Sequence, residues 1–111
     1  MNDKRVIGIF DGDGIMVGVL DAITDWPESG VWTMGMLLLQ PSARGGGLGR
    51  DALTAYEAWA RSQGAQAYRT AVVSHHEKGI RFLESAGYRR ESTLPDYDAG
   101  GRRAGVIFLV K

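Results

Sequence analysis

The residues of this chain best suited to chemistry are a run of glycines flanked by arginines, Arg44-Gly45-Gly46-Gly47-Leu48-Gly49-Arg50. The run stands between an apolar stretch, Val31–Gln40, and a segment of helical spacing that begins at Leu48. The first amides of a helix have no partner within it, and the macrodipole makes that end positive. Ser, Thr, Asp or Asn ordinarily caps such an end. Glycines at the cap positions leave the donors bare and let an anion come close, and Arg44 and Arg50 add charge. A diphosphate is the ligand such a turn suits.

Other readings of the run compete. The phosphate loop of NTPases needs Gly-Lys-Ser/Thr at its end, and Gly49-Arg50-Asp51 stands there instead. Gly47-x-Gly49-x-x-Ala52 fits the dinucleotide pattern, but the acidic residue expected near the end of the next strand is missing from Val72-Val73-Ser74. The plain alternative is a flexible surface loop, against which the tight join of apolar strand to helix argues.

The elements that must position this turn follow from hydrophobic spacing. Lys4–Phe10 reads as a strand, Asp11-Gly12-Asp13-Gly14 as a turn, and Ile15–Thr24 as a second strand with Ile15, Val17 and Val19 on one face. Asp25–Gly30 is a polar loop. Val31–Gln40 is a third strand, apolar enough to be central and covered on both faces. Leu48–Gln63 is a helix with Ala52, Ala55, Tyr56, Trp59 and Ala60 as its apolar stripe, stopped by Gly64. Ala67–Val73 is a fourth strand. Glu77–Ala86 is a second helix, with Ile80 and Leu83 on one side and Phe82 and Ala86 on another, stopped by Gly87. Tyr88–Leu94 and Val106–Lys111 are the last strands, joined by a polar loop, Pro95–Ala104. The order β-β-β-α-β-α-β-β implies an α/β (α+β) fold in which antiparallel strands come first and a helical crossover makes one parallel pair.

With 111 residues, one domain spanning 1–111 is expected. Thirteen basic residues balance thirteen acidic ones, which supplies no field for nucleic acid or an anionic membrane. The absence of cysteine excludes disulfides, thiolate catalysis and cysteine-ligated metals. The first residues do not form a signal peptide, and the longest apolar stretch, Met34–Leu39, is far short of a membrane span, so a cytoplasmic location is expected.

Leu37-x-Leu39-x-Pro41-x-x-Arg44-Gly45-x-Gly47-Leu48-Gly49 resembles the acetyl-CoA signature of the GCN5-related N-acetyltransferase (GNAT) superfamily, in which R/Q-x-x-G-x-G/A follows the central strand. Gly79-Ile80-Arg81-Phe82-Leu83-Glu84-Ser85-Ala86-Gly87-Tyr88 resembles the family's helix ending in Gly-Phe. The two motifs cover about Leu37 to Tyr88 in the right order. The resemblance implies a mixed, splayed sheet and acetyl-CoA as co-substrate, with no metal. Its pantetheine arm would pair with the backbone of Leu37, Leu38 and Leu39, and its pyrophosphate would rest on the amides of Gly45, Gly46, Gly47, Leu48, Gly49 and Arg50, beside Arg44. An amide near Leu37–Leu39 would polarise the thioester carbonyl. An amine on a small molecule or peptide would attack the thioester directly.

The chain departs from the family pattern at named positions. His76 stands where many relatives place an Asn against the cofactor arm, Leu83 where a Tyr often protonates the leaving thiolate, and Ala71 where some relatives place a carboxylate. His76, or Tyr88, is the available substitute acid. The strand and helices that precede the hairpin in most relatives have no counterpart here, so an open acceptor site, a partner subunit that walls it, or binding without turnover are all expected possibilities. An exposed first strand invites pairing with a second chain, and a homodimer is expected. Two rivals to an N-acetyltransferase stay open: a non-catalytic acyl-CoA-binding or dimerisation module of the same fold, and a nucleotide-binding protein using Gly47–Ala52.

The remaining polar candidates have plain readings. His75 and His76 are expected on extended backbone, pointing to opposite faces and unable to share a metal. Asp21, Asp25 and Glu28, like Asp96 and Asp98, read as loop solvation, with attraction of a cationic amine, or acceptance of its proton through water, as the functional alternative. Trp32, Tyr56, Trp59, Met34 and Met36 read as core.

Overall fold

The computed structural model describes residues 3–99 and 102–111, the stretches 95–99 and 102–104 by backbone alone. The elements come in the expected order: β1 (Asp3–Phe10), β2 (Met16–Thr24), β3 (Val31–Leu39), α1 (Leu48–Ser62), β4 (Ala67–Val73), α2 (Glu77–Ser85), β5 (Arg89–Ala99) and β6 (Arg102–Val110). Six strands of a mixed sheet and two helices give the α/β fold that the sequence implies. The chain divides into two compact units, Met1–Tyr68 and Arg69–Lys111.

In the first unit β1, β2 and β3 form an antiparallel meander. Leu20 and Ala22 of β2, with Trp32 and Met34 of β3, are buried, as are Leu53, Tyr56 and Ala60 of α1. Trp32 meets Trp59 edge-on at 5.4 Å between ring centroids, and Tyr56 lies between Trp32 and Tyr68 at 6.4 and 6.3 Å. The buried face of α1 is thus rotated from the expected stripe. Leu53 is buried, Ala52 and Trp59 are half-buried, and Ala55 is exposed. The leucine removes more apolar area from water than an alanine, and its side of the helix turns inward.

Two further expectations change in β2 and β3. Ile15 lies ahead of β2 and is exposed, and the deepest residues of the strand are Leu20 and Ala22. Only the first half of β3 is covered on both faces: Trp32, Thr33 and Met34 are buried in succession, whereas Met36 and Leu38 are 41% and 51% exposed. A bulge marks the change. Ala22 pairs with Met34 but Asp21 pairs with Met36, so Gly35 is the additional residue and side chains beyond it swap faces.

In the second unit β6 pairs antiparallel with both β4 and β5. Ile80 and Leu83 of α2 are buried, and so are Tyr88, Ile107 and Leu109, while the Arg69 guanidinium lies 4.3 Å from the Phe108 ring centroid. The stretch expected as a loop, Pro95–Ala104, is instead mostly ladder: Tyr97 pairs with Ala104, Asp98 with Arg103 and Ala99 with Arg102. An irregularity between Leu94 and Tyr97 accommodates Pro95. Among the described residues no helix is long and apolar enough to cross a membrane.

Candidate functional site

The glycine turn is built from the end of β3 forward. Gln40 N donates to the Val17 carbonyl at 2.8 Å and closes the ladder, after which Pro41–Ala43 makes one 3₁₀ turn. That turn, which spacing alone did not reveal, brings Arg44 back beside β3. Its Nε donates to the Leu39 carbonyl at 3.0 Å. Arg44 is therefore tied to the strand that the resemblance gives to the pantetheine arm, with its Nη groups left for another partner.

Gly45 and Gly47 then take left-handed backbone, φ 87° and 85°, and Gly47 is the N-cap of α1. Residues other than glycine are strained there. No side chain caps the helix, and the first helical bond runs from Asp51 N to the Gly47 carbonyl. Among the described residues no hydrogen bond engages the amides of Gly47, Leu48 or Gly49. A Cβ added at Gly45, Gly46 or Gly47 would meet nothing within 4 Å. The result is a run of backbone donors at a helix N-terminus with open space about the glycines, which fits a diphosphate. Arg50 is exposed within the first turn of the helix, and Asp51 follows it.

Leu37, Leu38 and Leu39 pair through one edge with Leu20, Val19 and Gly18 of β2. Beside them lies an open groove of about 570 Å³, lined by Val6, Met16, Val19, Leu38, Leu39 and Arg44 among others. Asp21 stands one step further along β2. It is in the middle of a strand, not in a loop, and its side chain is only 18% exposed. A Cβ at Gly35 would come within 2.6 Å of its Oδ1, so the carboxylate leans over β3 at the bulge. Gly35 inside an apolar strand was the available signal, since such glycines mark bulges or close approaches.

The other acidic candidates of this unit divide. Asp25 is structural: its Oδ1 accepts the Gly30 amide at 2.8 Å and holds the loop before β3. Glu28 is exposed in that same loop.

The second unit holds the remaining positions. His75 and His76 lie in the turn after β4, not on extended backbone. His76 is exposed and is the N-cap of α2, and its Nδ1 accepts the Gly79 amide at 2.9 Å. That bond fixes Nδ1 as the acceptor and leaves Nε2 to carry the hydrogen. Leu83 and Tyr88 are buried, and Ala71 is exposed. The side chains of Asp96 and Asp98 lie outside the described residues. Among the described residues no three His, Cys, Asp or Glu side chains group to hold a metal ion.

The profile of the Acetyltransferase (GNAT) family matches residues 2–88, most of the chain, and the chain belongs to that family. A search of curated proteins found no match. Among solved structures, an acetyltransferase from Thermus thermophilus is 30% identical with a TM-score of 0.76, over 97% of this chain and 63% of that one. An acetyltransferase from Bacillus cereus is 18% identical with a TM-score of 0.77, over 99% of this chain and 73% of the other. The spermidine/spermine N-acetyltransferase of Vibrio cholerae, solved with manganese ions, is 15% identical with a TM-score of 0.84, over 97% of this chain and 64% of its own. The chain thus spans somewhat less than two thirds of the Thermus and Vibrio proteins.

Proposed function

We propose that this chain is an acetyl-CoA-dependent N-acetyltransferase that moves an acetyl group to a primary amine of a small molecule or peptide. The observation that carries the reading is the uncapped N-terminus of α1, where Gly45 and Gly47 hold left-handed backbone around space no side chain fills. The amides of Gly45–Arg50 and the Arg44 guanidinium would hold the diphosphate, and the backbone of Leu37, Leu38 and Leu39 would hold the pantetheine arm. Bound there, acetyl-CoA would supply an activated acyl carbonyl. In that transfer the amine nitrogen would form the new C–N bond as the C–S bond breaks, the coenzyme A thiolate departing and the amine's proton passing to water. Thiols are far more acidic than alcohols, so a thiolate can depart near neutral pH without a strong acid. His76 is the candidate cofactor contact through Nε2; as the candidate proton donor it would first release the Gly79 amide and take a proton at Nδ1. A homodimer and a cytoplasmic location complete the proposal.

A second reading, an acyl-CoA-binding or dimerisation module without turnover, is favoured by Leu83, which is buried and carries no proton where relatives often place a tyrosine. Thermal unfolding with acetyl-CoA, beside NAD and ATP, tests the first part. A ligand at a hundred times its Kd stabilises by about 2.7 kcal/mol, a rise on the order of ten degrees in a domain this size. A shift with acetyl-CoA alone is the expected result, and its absence would overturn the cofactor assignment. Thiol release with an amine panel then separates enzyme from binding module.

A further inference from the structure

Asp21 is a carboxylate set into an apolar surface. Residues opposite one another in a ladder share a face, and the register places Asp21 in a row with Val6 and Met36, next to the row Gly8, Val19 and Leu38. Val6, Met36 and Leu38 are 67%, 41% and 51% exposed. A carboxylate drawn partly out of water among such groups costs free energy unless a cation pairs with it. The cation in place is Lys4, whose Nζ lies 3.6 Å from Oδ2 on a side chain 65% exposed. A pair of that length and exposure contributes little, about 0–1 kcal/mol, so another cation can replace it.

The position along β3 is as telling as the charge. Between the diphosphate and the sulfur of coenzyme A lie about a dozen bonds, the length of roughly four extended residues or ~14 Å. Four residues back from Gln40, where the turn toward the glycines begins, is Met36, the residue opposite Asp21. Because Gly35 carries no side chain, the carboxylate reaches over β3 at that level.

We propose, on the basis of the acetyl-CoA reading above, that Asp21 is a specificity residue that receives the ammonium of the acceptor, and that the acceptor is a primary amine on an apolar body. Rows in a strand are ~7 Å apart, so the chain of an alkylamine or arylalkylamine held at Asp21 lies along Val6, Val19 and Leu38. Arg44 also lines the groove there. A second cation, such as a polyamine carries, would meet apolar side chains and a guanidinium there.

The test titrates the full chain calorimetrically with coenzyme A and, separately, with hexylamine, spermidine and 6-aminohexanoate in the coenzyme A complex. Wild type is expected to bind hexylamine more tightly than spermidine. Asp21→Asn should weaken hexylamine tenfold or more while leaving coenzyme A affinity and Tm unchanged. Gly35→Ala, which displaces the carboxylate without removing it, should weaken hexylamine as well. Equal hexylamine affinity in wild type and Asp21→Asn, no hexylamine binding by wild type, or a preference for spermidine would each overturn the proposal. Failure of coenzyme A to bind wild type would instead sink the cofactor reading, and hexylamine titrated into the free protein would still report on Asp21.

Discussion

Nδ1 of His76 accepts the amide of Gly79 at 2.9 Å, and the two residues are matched by shape as well as by hydrogen bonding. A Cβ at Gly79 would collide with the imidazole. The histidine therefore has a structural duty at the start of α2 whatever else it touches. His76→Ala removes the cap and is expected to lower stability by about 1 kcal/mol, roughly 4–8 °C in Tm. His76→Asn keeps a side-chain acceptor and should hold the wild-type Tm. Acetyl-CoA affinity measured on the asparagine variant then isolates any contact between the histidine and the cofactor.

Gly46 sits between the two left-handed glycines without sharing their constraint. Its φ is not positive, and nothing lies within 4 Å of a Cβ placed there. Gly46→Glu should leave the melting curve in place while setting a carboxylate in the proposed diphosphate seat. A loss of about tenfold or more in acetyl-CoA affinity, roughly 1.4 kcal/mol, is expected by calorimetry. Unchanged affinity in this folded variant would remove the diphosphate from the turn.

Arg44 offers a complementary test. Its Nε bond to the Leu39 carbonyl orients the guanidinium beside the turn, and Arg44→Gln removes the charge. Acetyl-CoA affinity should fall several-fold, and the loss should shrink as salt is raised, because an exposed charge is screened over about 8 Å at physiological ionic strength. A salt-independent loss would indicate that the arginine acts through backbone geometry alone.

How much of this was legible beforehand depends on which signal a residue sends. Element order, the ends of the helices at Gly64 and Gly87 and the glycine turn all followed from spacing and residue type. The buried face of α1 did not, because Ala52, Ala55 and Ala60 are too small to say which side packs, and Leu53 decided it. The exposure of Met36 and Leu38 depends on a one-residue bulge that composition cannot show. Residues 95–104 read as a loop because they are polar and include Pro95, yet ladder bonds are made by the main chain and continue through them. Asp21 was misread for the same reason as Met36: its neighbours across the sheet, and not along the chain, define its surroundings.

Tyr56 gives the fourth expectation. It is 4% exposed, and its hydroxyl has no hydrogen-bond partner among the described residues. Burial, chiefly, with the nearby Tyr68 and Glu57, pushes the hydroxyl well above its ordinary value near 10. An unpaired buried hydroxyl costs about 1–3 kcal/mol, so Tyr56→Phe is expected to match or exceed the wild-type Tm at neutral pH. The pH dependence has a definite sign. Above pH 10 the unfolded chain releases this proton and the folded one keeps it, so the unfolded state binds fewer protons and stability falls as pH rises. Below pH 10 both states are protonated and the residue contributes no slope. Melting curves of wild type and Tyr56→Phe should therefore run parallel up to about pH 10 and separate beyond it, with wild type falling faster.

The closeness of Asp21 and Gly35 also constrains how this sequence can change over time. With aspartate at 21, a side chain at 35 meets Oδ1 at 2.6 Å, so any residue but glycine there pushes the carboxylate aside. The effect of a substitution at either site therefore depends on the residue at the other. A descendant that abandons the carboxylate gains freedom at the bulge, and one that fills the bulge first loses the carboxylate's seat.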